Sequence, residues 1–202
     1  MAKNNQTTQP HQYTPQLAKQ LLIEGNARFV DSAGIHHQYH NERRQHFLDH
    51  QKPFAMILSC SDSRVPAEII FDCGLGDLFV VRTAGQALDS AVLGTIEFGI
   101  SVLQVPLMVV LGHQHCGAIE AALAASQNRK RSNSPMNALL DGILPAIEKS
   151  RRKSVDEVMV TNVALTTARI LTMQPAIQAK IAGNFDIAMA TYSMESGIVD
   201  YL

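Results

Sequence analysis

Leu107-Met-Val-Val-Leu111 runs directly into Gly112-His-Gln-His-Cys116. An unbroken apolar run with no polar alternation marks a strand buried on both faces, the setting of a parallel sheet covered by helices. Similar runs occur at Phe54-Ala-Met-Ile-Leu-Ser59, Leu78-Phe-Val-Val-Arg82 and Ile187-Ala-Met-Ala-Thr191. Between them the spacing predicts helices over Pro66 to Phe71, Ser90 to Leu103, Cys116 to Ser126, Met136 to Lys149 and Val155 to Met173. Strand and helix in that alternation argue for an α/β fold. The expected sheet is central and mostly parallel, with four parallel strands flanked by helices. Gly197 marks a turn, so Ile198 to Tyr201 is expected as an antiparallel edge strand.

Outward from that core, Leu17, Leu21, Ile23 and Phe29 predict an amphipathic helix from Pro15 to about Asp31. A second short helix is expected over Asn41 to His50. Residues 1–14, rich in Gln, Asn and Thr, read as a flexible arm, and residues 15–202 as a single domain. Gln127 to Pro135 is polar and basic and reads as a loop.

The composition narrows the function. The chain has 202 residues, 46% of them hydrophobic and 17% charged, as in soluble globular proteins. A formal net charge of -1 gives no electrostatic case for nucleic acid or an anionic membrane surface. Arg129-Lys130-Arg131 and Arg151-Arg152-Lys153 read as solvated surface. No secretory signal precedes Gln20, and no apolar run reaches the ~20 residues of a membrane span. With an odd number of cysteines as well, the expected compartment is the reducing cytoplasm, where thiols serve as ligands or core residues.

Cys60 follows the first central run, and His113 and Cys116 follow the third. Ligands in open parallel sheets gather at the carboxyl ends of strands, so these residues meet if the two strands are neighbours. Two thiolates and one imidazole suit zinc, and three protein ligands leave a fourth position for water. The thiolates cancel the metal's charge, so a helper that accepts the water's hydrogen bond is useful. Asp62 is placed for it, and an Arg64 fork would orient that carboxylate and keep it ionised. Two states are open to Asp62: orienting the zinc-bound hydroxide or, released by Arg64, binding zinc itself and closing the site, which acid would favour. His115 is the rival ligand, expected to point away from the face shared by His113 and Cys116. Cys73 reads as a buried or partly buried thiol.

Cys60-Ser-Asp-Ser-Arg-Val-Pro-Ala-Glu68, Phe79-Val-Val-Arg-Thr-Ala-Gly85 and Gly112-His-Gln-His-Cys-Gly-Ala118 together resemble the signature segments of the β-class carbonic anhydrases. The resemblance is strong from Gln51 to Leu123 and looser elsewhere. It implies one zinc per subunit on Cys60, His113 and Cys116, a catalytic Asp62-Arg64 dyad, and reversible hydration of carbon dioxide to bicarbonate. It also implies a homodimer or tetramer, with N-terminal helices embracing the partner and substrate pockets at the interface. By position, Gln51 matches a donor to the substrate oxygen, while Phe79, Ala84 and Phe98 match the lining of the apolar pocket. Some bacterial members hold a regulatory bicarbonate between a tryptophan, an arginine and a tyrosine. Here Arg82 is present, but the other two positions read Ile57 and Phe98.

Other readings fit less well. A hydrolase of carbon disulfide or carbonyl sulfide would use the same attack and differ in access to the pocket. A non-catalytic zinc-binding protein would have no need of Asp62 and Arg64, and both are present. A cysteine phosphatase would place no carboxylate between its cysteine and arginine. Gly74-Leu-Gly76 follows a helix and lacks the third glycine of a dinucleotide fingerprint.

Overall fold

The structure, a computed structural model, describes residues 13–34, 48, 50–127 and 133–202. Helix α1 spans Pro15–Val30, strand β1 Ala55–Cys60 and helix α2 Ala67–Ile70. Strand β2, Leu78–Thr83, leads through a 3-10 turn at Ala84–Gln86 into α3, Ser90–Ser101. Then come β3 (Leu107–His113), α4 (Gly117–Ser126), α5 (Met136–Lys149), α6 (Val155–Ile170), α7 (Gln174–Ile181), β4 (Asp186–Tyr192) and β5 (Val199–Tyr201). The strand order is β2-β1-β3-β4-β5, parallel except for the β4–β5 pair. The expected four parallel strands and antiparallel edge strand are present. The expected helix over Asn41 to His50 and most of the Gln127 to Pro135 loop lie outside the described residues.

Every residue of β1 and β3 is buried, because each has a neighbour on both sides and helices on both faces. Met56, Leu58, Met108 and Val110 pack with α3 to α6, while Ile57, Val109 and Leu111 pack with α1, α2 and Phe71. The side-chain alternation of a strand divides the core in this way. Gly112 lets α6 approach the sheet closely: a Cβ there would lie 2.5 Å from Met159 Sδ and 2.7 Å from Val163 Cγ2.

In two places the structure differs from the sequence reading. Strand β2 lies at the sheet edge, and five of its six residues are only half-buried, so its apolar run does not mark a strand covered on all sides. The helix expected to reach Met173 ends at Ile170, and the chain re-enters a helix at Gln174. Pro175 explains the break: it has no N–H to donate, and its ring excludes the preceding turn's carbonyl. The last residues of the expected arm are held in place, since Thr14 Oγ1 accepts from Leu17 N to cap α1 and Tyr13 packs on the Phe54 ring.

Candidate metal centre

Chain order takes β1 to β2 on one side and then to β3 on the other, so the switch point of the sheet lies between β1 and β3. Crevices form at the carboxyl ends of strands at such a point. Cys60 ends β1, His113 ends β3, and Cys116 is the N-cap of α4. Their donor atoms all lie within 4.8 Å of one another, and all three side chains are buried. Among the described residues this is the one cluster of three or more potential ligands that close together.

The protonation pattern suits a cation. His113 Nδ1 lies 2.8 Å from the Gln114 carbonyl, so Nδ1 carries the hydrogen and Nε2 presents its lone pair. Nε2 is buried with no hydrogen-bond partner. The two sulfurs are 4.0 Å apart. Hydrogen bonding from the Cys116 thiol pulls Cys60 down to about 4, against burial and helped by the backbone N–H groups of Gly85 and Asp62. The same hydrogen bond, with burial, pushes Cys116 up. The pair therefore shares one proton, and a second thiolate needs a cation to offset it. Two sulfurs and one imidazole nitrogen form a donor set of the kind that holds zinc with one position open.

Asp62 and Arg64 form the expected fork. Asp62 Oδ1 accepts from the Arg64 backbone N–H and Nε, both at 2.9 Å, and Oδ2 accepts from Nη2 at 2.7 Å. Arg64 Nη2 also donates to the His115 carbonyl at 3.2 Å, tying the two loops together. The Arg64 side chain holds the Asp62 carboxyl well below the usual carboxylate range. With both oxygens engaged by Arg64, Asp62 stands outside the three-atom cluster; of the two states open to it, this arrangement has the fork closed on Arg64. His115 is exposed and outside the cluster too, as expected of the rival ligand. Cys73 is half-buried, donates to the Phe71 carbonyl and has a thiol pushed up to about 12 by burial.

Three further residues shape the site without having been singled out for it. Arg82 Nε donates to the Cys60 carbonyl at 2.9 Å and Nη2 to the Asp62 carbonyl at 2.6 Å, so its guanidinium is committed to the ligand loop. Gln86 Nε2 donates to the Leu111 carbonyl at 2.7 Å, and Asn162 Nδ2 to the Gly85 carbonyl at 2.9 Å. A signal for Arg82 existed: a charged residue closing an apolar strand. Gln86 and Asn162 carried none.

The residues matched to the substrate pocket divide. Ala84 follows β2 directly and adjoins Gly85, whose N–H lies 3.3 Å from Cys60 Sγ. Phe79 pairs in register with Met56, four residues before Cys60, which is about 13 Å along the strand. Phe98 packs beside Phe79, with ring centroids 6.3 Å apart. Gln51 is exposed and precedes β1 altogether. Gln51, Phe79 and Phe98 thus lie toward the opposite end of the sheet from the cluster of their own chain.

Comparison with known proteins agrees with this geometry. The family profile described as carbonic anhydrase matches residues 55–199. Carbonic anhydrase 2 of Mycobacterium tuberculosis H37Rv is 44% identical over 187 residues, covering 91% of this chain and 90% of its own. The carbonic anhydrase of Mycolicibacterium smegmatis is 42% identical over 190 residues, with 92% of each chain covered. Among solved structures, the β-carbonic anhydrase CafA of Aspergillus fumigatus superposes with a TM-score of 0.73 at 24% identity, over 87% of this chain and 88% of that one. One of two tetrameric β-carbonic anhydrases from Sordaria macrospora gives 0.69 at 20% identity, over 80% and 88%.

Proposed function

This chain belongs to the carbonic anhydrase family, in its β class, and on that premise we propose that it hydrates carbon dioxide reversibly to bicarbonate and a proton, with one zinc per subunit on Cys60, His113 and Cys116. The observation that carries this reading is the buried three-donor cluster, with His113 Nε2 left unpartnered in a ring already fixed by Gln114. When bound, zinc supplies a Lewis acid that makes water a nucleophile at neutral pH.

The residues of the chain do the rest. Asp62 accepts a hydrogen bond from the attacking water and so aims its oxygen lone pair at the carbon of the substrate. Because Arg64 keeps that carboxyl so far below the usual range, Asp62 is a poor proton acceptor near neutrality and acts by orientation. The proton released as bicarbonate forms passes to solvent. Arg82 fixes the backbone that carries both Cys60 and Asp62.

Ala84 lines the pocket of its own subunit, whereas Gln51, Phe79 and Phe98 serve the partner's pocket in a homodimer or a tetramer built from it. Supporting this is their separation along the sheet from their own cluster. Leu17 and Ile23 are 44% and 41% exposed on α1, as suits a helix that embraces a partner. No helix of the described residues is long and apolar enough to cross a membrane. A cytoplasmic enzyme with free thiols is the accompanying proposal.

Stopped-flow carbon dioxide hydration, with zinc content measured, tests the reading on wild type and Asp62→Asn. The wild type should be active with zinc near one per chain, and Asp62→Asn should retain the metal while losing about 10²-fold or more in kcat/KM. A zinc-replete wild type with no hydration at pH 8.5 would sink it.

A further inference from the structure

We propose that Asn162 is a positioning residue for the metal centre: by clamping Gly85 it holds an N–H on the Cys60 sulfur and so sets how strongly that thiolate donates to the cation. The proposal rests on the reading that the cluster binds zinc. Gly85 is the midpoint of the contact. Its N–H lies 3.3 Å from Cys60 Sγ, and its carbonyl accepts from Asn162 Nδ2 at 2.9 Å. Asn162 is on α6, 4% exposed, and far from Gly85 in sequence.

The turn has little freedom to do otherwise. Gly85 sits at φ 62°, ψ 27°, in the left-handed region that favours glycine. A Cβ there would lie 2.8 Å from Ile143 Cδ1 and 3.1 Å from Ala118 Cβ, so α4 and α5 close in on it. Gln86, also at positive φ, is anchored to β3 through Leu111. Within that frame the Asn162 amide is the one side chain among the described residues recorded as donating to the Gly85 carbonyl. It fixes the Gly85–Gln86 peptide and, through the confined φ and ψ of Gly85, the preceding peptide whose N–H faces the sulfur. An N–H on a metal thiolate withdraws charge from it, and groups one step beyond the ligands commonly tune a site in this way. Asn162 also borders a cleft of about 220 Å³ with Gln86, Gly142 and Arg169, which gives a changed side chain room.

The test uses the full chain with zinc replaced by cobalt(II), whose sulfur-to-cobalt charge-transfer band reports thiolate donor strength. Asn162→Leu and Asn162→Ala should shift the band to longer wavelength, because the sulfur becomes more electron-rich. With the ligand turn no longer held in position, they should also give up zinc to a competing chelator about tenfold more readily, despite the stronger donor. Folded variants with an unmoved band would overturn the proposal and leave Asn162 a structural residue, even if their stability falls. A measurement without variants stands beside this: in the cadmium-113-loaded wild type, the Gly85 amide proton should couple to the metal across the hydrogen bond. Absence of that coupling overturns the proposal alone. A wild type that takes up neither cobalt nor cadmium overturns the metal reading as well.

Discussion

Cys60 and Cys73 show how place sets the chemistry of one residue type. Cys60 meets a thiol and backbone N–H groups and ionises readily, whereas Cys73 meets burial and the carboxylates of Asp77 and Asp72 and does not. With its thiol near 12, Cys73 should react with iodoacetamide at pH 8 more than about a hundredfold more slowly in the native protein than in urea, read by peptide mass spectrometry. The sign for stability follows. The folded state raises the Cys73 value above the unfolded ~8.5, so its contribution is full below that pH and is lost as pH rises toward 12. Between pH 8 and 10.5 the denaturation midpoint of wild type should therefore fall more steeply than that of Cys73→Ser. The Asp62-Arg64 fork and the His113–Cys116 pair were legible in the sequence because short spacings encode them, and Cys60 because it follows a neighbouring apolar strand. Gln86 and Asn162 were not, since each acts on a carbonyl that only the folded chain brings near, and Arg82 showed only as a charge closing an apolar strand.

At the level of elements, the apolar runs located all four parallel strands, and Gly197 located the turn into β5. Where a strand lies in a sheet is a different matter, as half-buried β2 shows, because order depends on partners that no local pattern names. The buried face of α1 holds a related case. Asn26 Nδ2 donates to the carbonyls of Ile70 and Gly197, and Oδ1 accepts from Val199 N–H at 2.8 Å. One amide thus joins α1, the end of α2 and the final strand pair. In sequence it reads only as a polar residue within a helix. Asn26→Leu would leave a buried N–H and two carbonyls without this partner and should destabilise the fold by about 2–4 kcal/mol, measured by urea unfolding. A change under about 0.5 kcal/mol would mean that water or neighbouring groups replace all three bonds.

For the molecule as a whole, the proposed division of the pocket residues between subunits makes a functional claim that a single chain cannot satisfy. If Gln51 serves the partner's zinc, two inactive variants should complement each other. Cys60→Ala lacks a ligand and Gln51→Ala lacks the donor, yet a mixed dimer has one site with both. Equimolar chains unfolded and refolded together should regain about a quarter of wild-type hydration, since half the dimers are mixed and each has one intact site. No recovery would place Gln51 in the service of its own subunit or of none. The ligand positions have a consequence in time as well. Cys60 and the His113–Cys116 pair come together only when β1 and β3 align, and all of β2 and α3 lies in the chain between them. Of the three clustered donors, an unfolded chain keeps only His113 and Cys116 close together. A metal held by all three donors would therefore arrive late in folding, after the central strands have paired, and would not serve as their nucleus. Its effect would fall on the reverse step: it would leave the rate of folding nearly unchanged and slow unfolding, guarding the loaded protein kinetically with an ion that took no part in building it.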